Sequence, residues 1–343
     1  MPAKPDVSII VVNWKSVAFL RKCLRTIHAN IRGVAFEVIV VDNASGDNCQ
    51  EMVDTEFPSV QCIQSDRNLG FARANNLGFQ SSAGRNLLFL NPDTEVLGPA
   101  VERMSRLLDE NPKAGIVGPK LLNSDGSVQT SCIRSFPSLM NEVLDAELLR
   151  QTFPHSRLWG SKALVTDESG PVAVDAVSGA SLMMRRQVFE QVSLFTTSYF
   201  MYAEDVDLCF KARKAGWATL FLPGATIVHH GGQSTRAHDD GNFADVVLRE
   251  SRLRFFQNCR GAFYASGYRV AIAVVALVRL ALLGALMILG SREHRNSAGR
   301  AFRKWLRIMR WSTGMESWAR QLGQAGNQPG PTQAGATQPF VVS

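Results

Sequence analysis

Apolar stretches alternate with amphipathic stretches over the first 122 residues of the chain. Val17, Leu20, Leu24 and Ile27 recur at helical spacing, and a further helix is predicted near residues 98–110. Each of the apolar stretches is typical of a strand that is buried on both faces. These stretches, several of which run on into polar turns, occupy residues 7–14, 36–47, 60–65, 86–93 and 114–122.

Strands that alternate with helices predict an α/β fold with a parallel, doubly wound sheet, in which ligands bind at the carboxyl ends of the strands. Polar side chains follow directly after these predicted strands, at Asn13, Asp42, Asn68 and the Asn91-Pro92-Asp93 step. We therefore expect these side chains to gather at one edge of the sheet.

The second half of the chain is predicted to add fewer regular elements. Residues 123–171 have the pattern of loops and short helices, residues 172–186 of two short strands around a turn, and residues 249–264 of a basic amphipathic helix. Helical spacing between Glu204 and Gly216 gives way to extended chain over 218–230. The predicted segments are a globular domain, a basic amphipathic helix, a membrane-associating helical segment and a mostly disordered tail, at residues 1–240, 241–266, 267–311 and 312–343.

Charge is distributed unevenly along the 343 residues, whose net charge is +7. Residues 1–248 carry 23 Lys and Arg against 27 Asp and Glu, whereas residues 249–320 carry 14 against 3. A basic segment favours an anionic lipid, a phosphorylated substrate or nucleic acid. Nucleic acid is the weakest of the three, because the same segment contains the most apolar stretch of the sequence.

That apolar stretch, residues 268–290, is interrupted by Arg269 and Arg279. It is just long enough to span a bilayer of ~30 Å. A span would place Arg279 near the midplane at a cost of about 2.5–3.5 kcal/mol, and the following arginines outside, against the positive-inside tendency. A helix in the interface or a re-entrant hairpin, attached from the cytoplasmic side, avoids both problems. A helix buried against the globular domain is the alternative.

The six cysteines are scattered, without a C-x-x-C pair or zinc-binding spacing, as is typical of a protein from a reducing cytoplasm. Residues 1–6 lead directly into the first predicted strand and do not have the pattern of a signal peptide. We therefore expect the globular domain to stay on the cytoplasmic side of the membrane.

Asn91 and Asp93 are two residues apart in extended chain, so their side chains lie on the same side. Mg²⁺ and Mn²⁺ commonly bind between protein carboxylates and substrate phosphates, and the pair is a candidate for such a site. The alternative is that Asp93 caps the following helix. Asp42 is open to two interpretations as well: a contact to a nucleobase or ribose, or an ordinary turn residue. Asn13 and Asn68 share this ambiguity.

Two further groups are candidates for chemistry. Glu204, Asp205 and Asp207 begin a helix, where acids complement the helix dipole and Asp207 is spaced to pair with Lys211; one of them is instead a candidate general base. Asp205 and Asp207 are about 200° apart on a helix and cannot both face one site. His229 and His230 lie at a strand end, where neighbouring side chains point to opposite faces.

Together these segments resemble a family 2 glycosyltransferase of the GT-A type, most closely the bacterial rhamnosyltransferase-like members. The resemblance covers residues 6–260 and implies a Rossmann-like, doubly wound mixed sheet. The matching stretches are VSIIVVNW, VIVVDNASGD, NLGFARANNLG, LFLNPDTEV, VSGASLMMRR, YFMYAEDVDLCFKARKAGW and VHHGGQS.

The resemblance also implies a role for each candidate residue. Asp205 matches the catalytic base, Asp93 the last acid of the D-x-D metal motif, and His229 a metal or diphosphate contact. The position of Asn91 is one where many members carry the first acid of that motif. The residues implied to bind the nucleotide sugar are Asn13, Asp42, Asn68, Gly70, Arg73 and Asn91.

The implied activity is an inverting transfer that requires Mg²⁺ or Mn²⁺. The donor is a dTDP- or UDP-sugar, with rhamnose a candidate sugar, and the acceptor is lipid-linked or a polysaccharide. Two departures from the family pattern affect acceptor or diphosphate contacts: Thr196 and Thr197 replace acids, and residues 255–261 lack a Lys-His pair. Arg252, Arg254 or Arg260 is a candidate replacement cation. The alternative is a non-catalytic nucleotide-sugar-binding scaffold; a nicotinamide oxidoreductase lacks support, because no G-x-G-x-x-G follows the first strand.

Overall fold

The computed structural model describes residues 4–144, 170–231, 243–289 and 291–324. Nine strands form one mixed sheet in the order β3-β2-β1-β4-β10-β6-β11-β5, with β8 also paired to β11, while β7 pairs with β9. The strands are β1 (Val7–Asn13), β2 (Phe36–Asp42), β3 (Gln61–Gln64), β4 (Asn86–Leu90), β5 (Thr94–Leu97), β6 (Ala114–Leu122), β7 (Ile133–Arg134), β8 (Val172–Val174), β9 (Ala176–Val177), β10 (Ser181–Arg185) and β11 (Ala218–His229).

Helices cover both faces of the sheet and continue beyond it. They are α1 (Val17–Asn30), α2 (Cys49–Glu56), α3 (Gly70–Gln80), α4 (Ala100–Glu110), α5 (Leu139–Val143), α6 (Arg186–Gln191), α7 (Glu204–Lys214), α8 (Phe243–Arg260), α9 (Ala262–Leu289), α10 (Arg292–Ser312) and α11 (Ser317–Gln324).

Strands β3, β2, β1 and β4 run parallel to one another, whereas β10 is antiparallel to both of its neighbours. Successive residues of a strand point to opposite faces, so Ile9 packs with the core on the side of α1 and α4, and Ile10 with the core on the side of α3 and α7. Both residues are fully buried. The predicted α/β, doubly wound mixed sheet is confirmed.

The structure differs from the sequence prediction in three details of this domain. Strand β5 was not predicted; it pairs antiparallel with β11, Thr94 opposite His229. Residues 172–186 form three short strands instead of two. Residues 145–169, predicted as loops and short helices, lie outside the described residues.

The C-terminal helices form a hairpin attached to the globular domain. The Arg269 guanidinium, early in α9, donates hydrogen bonds to the Trp311 and Ser312 carbonyls at the end of α10. Farther along, the Arg279 guanidinium lies 4.5 Å from the Trp305 ring centroid. Helix α9 begins directly after α8, and the end of α10 returns to α8, where Trp311 Nε1 donates to Glu250 at 2.9 Å.

Helix boundaries in this region also differ from the prediction. The basic helix begins at Phe243 and ends at Arg260, where Gly261 adopts φ +90°, a left-handed conformation favoured by glycine. Residues 317–324, within the tail predicted to be mostly disordered, are helical. The remainder of that tail, residues 325–343, and the Gly-Gln-Ser segment after Gly231 lie outside the described residues.

Candidate active site

Asn91, Asp93 and His229 meet at the edge of the sheet where β4 ends. The Asp93 Oδ1 atom lies 3.4 Å from His229 Nε2, and Asn91 Nδ2 lies 3.3 Å from the same nitrogen. Asp93 is only 5% exposed. Asn91 and Asp93 thus lie on the same side of the chain and meet the same nitrogen of His229, which reaches them from β11.

The chain turns at Asn91 because β4 pairs with β1 and β10, whereas the next strand, β5, pairs with β11. The Thr94 hydroxyl donates to the Asn91 carbonyl at 2.7 Å, which closes the turn around Pro92. Strand β5 follows directly, and α4 begins only after Pro99, without a side-chain cap. The alternative interpretation, in which Asp93 caps the next helix, is therefore wrong.

The spacing of these donors fits a divalent cation. Two ligand atoms, each about 2.1 Å from one ion and separated by about 90–110°, lie about 3.0–3.4 Å apart; this agrees with the distance between Asp93 Oδ1 and His229 Nε2. If the side-chain amide of Asn91 rotated by half a turn, its oxygen would take the place of its nitrogen and could be a third ligand of the cation. Among the described residues, no three His, Cys, Asp or Glu side chains form a metal-binding group.

The two adjacent histidines have separate environments. His229 faces Asp93, and its Nδ1 atom lies 2.8 Å from Gln129 Oε1. The His230 ring bridges Glu95 and Ser124, with 2.8 Å contacts on both nitrogens. The expectation that at most one of the pair faces the site is met, and the histidine beside Asp93 is His229.

Asp205 lies at the start of α7 and is 4% exposed. Its Oδ1 atom accepts a hydrogen bond from the Val206 backbone at 2.8 Å, and its Oδ2 atom accepts one from the Gly179 backbone at 2.8 Å and one from Arg134 at 3.4 Å. A carboxylate offers about four lone-pair positions. Three donors orient the group and leave one position for a proton donor.

Asp207 points into the protein, as its angular separation from Asp205 requires. Its carboxylate accepts hydrogen bonds from Thr196 and Tyr199, at 2.6 and 3.2 Å. Lys211 Nζ lies 3.6 Å away, the predicted i,i+4 pairing. Thr196, which replaces an acid of the family pattern, therefore supports a buried carboxylate that fixes α7.

Glu204 is the buried neighbour of the candidate base. Burial, and secondarily the Asp205 charge, raise the pKa of the Glu204 carboxyl to about 8. Its Oε2 atom has no hydrogen-bond partner. A group with this pKa is mostly protonated at neutral pH and cannot accept a proton, so Asp205 is the better candidate for the base.

We expect the pKa of Glu204 to make stability fall with rising pH. The folded carboxyl holds its proton up to about pH 8, whereas an unfolded one releases it near pH 4.3. The unfolded state therefore binds fewer protons between these values, and the free energy of unfolding decreases by at most about 1.4 kcal/mol per pH unit. Denaturant unfolding at several pH values should show this slope reduced in Glu204→Gln; an identical slope would contradict the assignment.

Asn13 and Asp42 end the neighbouring strands β1 and β2 and are paired in register. The Asn13 amide donates to Ser45 and Asp47, which leaves its buried Oδ1 atom without a hydrogen-bond partner. The Ser45 backbone donates to Asp42 Oδ1 at 3.2 Å. The turn role of Asp42 is thus observed, and Asn13 retains an unused acceptor at the sheet edge.

Asn68, Gly70 and Arg73 form the entry to α3. Asn68 Oδ1 accepts hydrogen bonds from Asn43 and from the Gly70 backbone. Gly70 has φ +73°, and an added Cβ would lie 2.5 Å from the Phe200 carbonyl, so glycine is required there. Arg73 donates to the Thr197 carbonyl at 2.7 Å, and its pKa is lowered by burial.

The three arginines considered as replacement cations differ in their environments. Arg254 donates to the carbonyls of Ser198 and Arg320, and Arg260 lies over the Phe210 ring. Arg252 Nε is 3.3 Å from Glu142, yet neither its Nε nor its Nη1 atom makes a hydrogen bond. Arg252 therefore has two buried guanidinium nitrogens without a hydrogen-bond acceptor.

A turn at residues 178–180 joins the two halves of the site. The Ala180 carbonyl accepts from the Asn91 backbone at 2.9 Å, and the adjacent Gly179 backbone donates to Asp205. An added Cβ at Gly179 would lie 3.1 Å from the Asp205 Cβ, so a side chain there would require Asp205 to shift by a few tenths of an ångström. Sequence reasoning singled out neither Gly179 nor Arg134, although the turn lies within one of the stretches that carry the resemblance.

The chain is similar in sequence to two named rhamnosyltransferases and similar in fold to a mannosyltransferase of known structure. The N-acetylglucosaminyl-diphospho-decaprenol L-rhamnosyltransferase of Mycobacterium tuberculosis is 32% identical over 209 residues, 58% of this chain and 67% of that protein. Rhamnosyltransferase WbbL of Escherichia coli is 23% identical over 71% of this chain and 88% of its own length. The solved mannosyltransferase PcManGT from Pyrobaculum calidifontis, in complex with GDP-Man and Mn²⁺, has a TM-score of 0.52 at 16% identity, covering 95% of this chain and 88% of its own.

The model of one family matches more than half of the chain. Its description is glycosyl transferase family 2, and it covers residues 8–192, from β1 through the turn at residues 178–180 to the end of α6. The matched segment includes Asp93 and the polar ends of β1 and β2. The chain belongs to glycosyl transferase family 2 and is a glycosyltransferase.

Proposed function

We propose that the chain transfers a sugar, with inversion, from a dTDP- or UDP-sugar to a lipid-linked or polysaccharide acceptor in bacterial cell-envelope glycan synthesis. Rhamnose is the proposed sugar. The observation that carries the proposal is the turn at residues 178–180, where adjacent residues bond the backbone of Asn91 and the carboxylate of Asp205. The proposed base and the candidate cation site thus flank one short turn.

The relatives support the choice of substrates. The printed name of the Mycobacterium tuberculosis protein combines an L-rhamnosyl group with a diphospho-decaprenol acceptor, and WbbL is also named a rhamnosyltransferase. The solved structure of PcManGT contains a nucleotide sugar together with Mn²⁺. A lipid-linked acceptor also agrees with the apolar α9 of this chain.

Asp205 supplies the base in this proposal. An acceptor hydroxyl is a weak nucleophile, and removal of its proton as it attacks the anomeric carbon accelerates the reaction. The oxygen forms a bond to that carbon while the bond from the carbon to the diphosphate breaks, so a single displacement inverts the configuration. The Gly179, Val206 and Arg134 donors hold the carboxylate in position.

Asp93, His229 and Asn91 would hold Mg²⁺ or Mn²⁺ on the diphosphate side. A bound cation stabilises the negative charge that develops on the leaving nucleoside diphosphate. Since Asp93 is the one acid of this group, the protein offers few charged ligands. We therefore propose that phosphate oxygens of the donor complete the coordination, and that Asn13 and Asp42 bind the nucleoside.

A transfer assay tests this proposal. The purified chain would be incubated with a panel of radiolabelled nucleotide sugars, a short-chain polyprenol acceptor that carries a sugar on its diphosphate, and either Mn²⁺ or EDTA. We expect one dTDP- or UDP-sugar to yield a labelled lipid product in the presence of Mn²⁺, and we expect no product in the presence of EDTA. Donor binding without transfer to any acceptor would instead support the scaffold alternative.

We further propose that α9 attaches the protein to the cytoplasmic face of the membrane as part of a hairpin, without spanning it. Among the described residues, α9 is the one helix long and apolar enough to cross a bilayer. Its exposed side chains include Val274, Leu282 and Ile288, whereas α10 carries many arginines. Apolar side chains are favourable at the boundary of the acyl chains of a bilayer, and arginines are favourable beside its anionic headgroups. Because both ends return to α8, the hairpin keeps α10 on the side of the globular domain.

Replacing Leu282, which is 61% exposed, by Glu should weaken membrane binding. Loss of one buried leucine costs about 1.5–3 kcal/mol, which corresponds to at least about a tenfold decrease in partitioning. Flotation with vesicles that contain phosphatidylglycerol measures the effect. Leu97→Glu, at an exposed leucine of β5, is the matched control and should bind like wild type; equal binding of all three proteins would contradict the proposal.

A further inference from the structure

A row of hydrogen bonds connects an exposed turn to the candidate cation site. It runs from Asp125 through Ser127, Asn123 and Gln129 to His229, at distances of 2.6, 2.9, 3.0 and 2.8 Å. Residues 123–127 form a tight turn after β6, closed by the hydrogen bond from the Asn123 backbone to the Ser127 carbonyl at 2.8 Å.

The chemistry of the groups fixes the direction of each hydrogen bond. An ionised carboxylate only accepts, and hydrogen bonds from the Ser127 hydroxyl and backbone lower the pKa of Asp125. The Ser127 hydroxyl therefore uses its proton on Asp125, and its oxygen accepts from the Asn123 amide nitrogen. This leaves the Asn123 oxygen as the acceptor for Gln129 Nε2.

The orientation of Gln129 determines the tautomer of His229. With its Nε2 atom donating to Asn123, Gln129 presents its Oε1 atom to the imidazole. An amide oxygen cannot donate, so His229 Nδ1 must carry the proton, and in the neutral ring Nε2 then has the free lone pair. That lone pair points toward Asp93 and Asn91.

We propose that Gln129 is a positioning residue that holds His229 in the Nδ1–H tautomer, with Nε2 available to a divalent cation. The inference rests on the proposed function, since it assumes that His229 binds the cation that Asp93 binds. Outer hydrogen bonds of this kind orient metal-binding histidines, and their loss typically costs 10–100-fold in metal affinity.

Two variants at position 129 separate positioning from mere packing. Gln129→Leu removes the acceptor, so His229 should populate both tautomers, and Mn²⁺ affinity should fall by about 10–100-fold. Gln129→Glu keeps an oxygen acceptor and should retain the Nδ1–H tautomer and an affinity near that of wild type. Asn123→Asp removes the donor to Ser127 but keeps an oxygen acceptor for Gln129 Nε2, so it should retain the Nδ1–H tautomer.

Two measurements on the full chain in detergent provide the readouts. Nitrogen-15 NMR of histidine-labelled protein at pH 8.5, about two units above the ordinary histidine pKa, reports the tautomer; His229→Gln assigns the signal. Electron paramagnetic resonance of free Mn²⁺, with saturating UDP or dTDP, reports metal affinity. Thermal unfolding confirms that the variants fold.

The proposal is overturned if wild-type His229 carries its proton on Nε2. It is also overturned if Gln129→Leu retains the wild-type tautomer, or if Gln129→Glu loses as much Mn²⁺ affinity as Gln129→Leu. A wild-type chain that binds no Mn²⁺ would contradict the metal part of the proposed function and would overturn the cation role of the row. The tautomer spectrum would still decide whether Gln129 orients the imidazole.

Discussion

The Asp205→Asn variant is expected to transfer sugar about 10²–10⁴-fold more slowly than wild type, the usual contribution of a general base. An amide cannot take the proton of the acceptor hydroxyl. Its NH₂ group would also face the backbone donors of Gly179 or Val206, both 2.8 Å from the carboxylate in the wild-type protein. Binding of the nucleotide sugar should change little, because the candidate cation site lies on the other side of the turn at residues 178–180.

The comparison that tests this assignment uses the adjacent carboxyl. Glu204→Gln replaces a group that is mostly protonated at neutral pH by its neutral isostere, so transfer per folded molecule should stay close to wild type. Initial rates of transfer, measured with saturating donor and acceptor, provide the numbers. A large loss in Glu204→Gln together with an active Asp205→Asn would make Glu204 the base.

The Asp93→Ala variant is expected to lose metal-dependent donor binding, by more than about 100-fold. This exceeds the 10–100-fold typical of an outer partner, because Asp93 would contact the cation itself. Asn91→Ala should cost less than about tenfold, which is the range of one net hydrogen bond of about 0.5–1.5 kcal/mol. Asn91 is neutral, and its observed partner is His229 Nε2.

Calorimetric titration of the nucleotide sugar, with Mn²⁺ and with EDTA, measures both variants against wild type. The EDTA arm isolates the affinity that does not depend on the metal, which should be similar in all three proteins. The reverse order, with Asn91→Ala more damaging than Asp93→Ala, would show that the acid does not bind the metal.

The sheet and the edge that holds the candidate site are predictable from the sequence, because strands that are buried on both faces consist of continuous apolar residues. Strands such as β1 and β4 are almost entirely apolar, and the first polar residues after them mark their carboxyl ends. The sequence alone therefore predicts that Asn13, Asp42 and Asp93 lie at one edge of the sheet, and the parallel register of β1 with β2 and β4 agrees. The opposite faces of Asp205 and Asp207 follow from helix geometry alone.

The partners of these residues could not be predicted, since they come from distant parts of the chain. Gly179 reaches Asp205 across 26 residues, and Gln129 reaches His229 across 100. Neither residue type has a local pattern that marks such a contact. Strand β5 was missed for a related reason: its four residues form a strand because β11 lies beside them.

The C-terminal region shows the same limit. The sequence indicated an apolar helix with two arginines, and it left open a span, an interfacial helix, a hairpin or a buried helix. Contacts from Arg269 to Trp311 and from Arg279 to Trp305 pack α9 against α10 as a hairpin, the arrangement on which the proposed membrane attachment rests. They account for both arginines, which would otherwise be costly within an apolar helix.

The central claim is that the corner formed by Asn91, Asp93 and His229 binds a nucleotide sugar through a divalent cation, next to Asp205. A thermal-shift screen of nucleotide sugars and nicotinamide cofactors, with and without Mn²⁺, tests it most directly. We predict that a dTDP- or UDP-sugar raises the unfolding temperature in the presence of Mn²⁺ and that EDTA abolishes the shift. Stabilisation by a nicotinamide cofactor in preference to every nucleotide sugar would contradict the account.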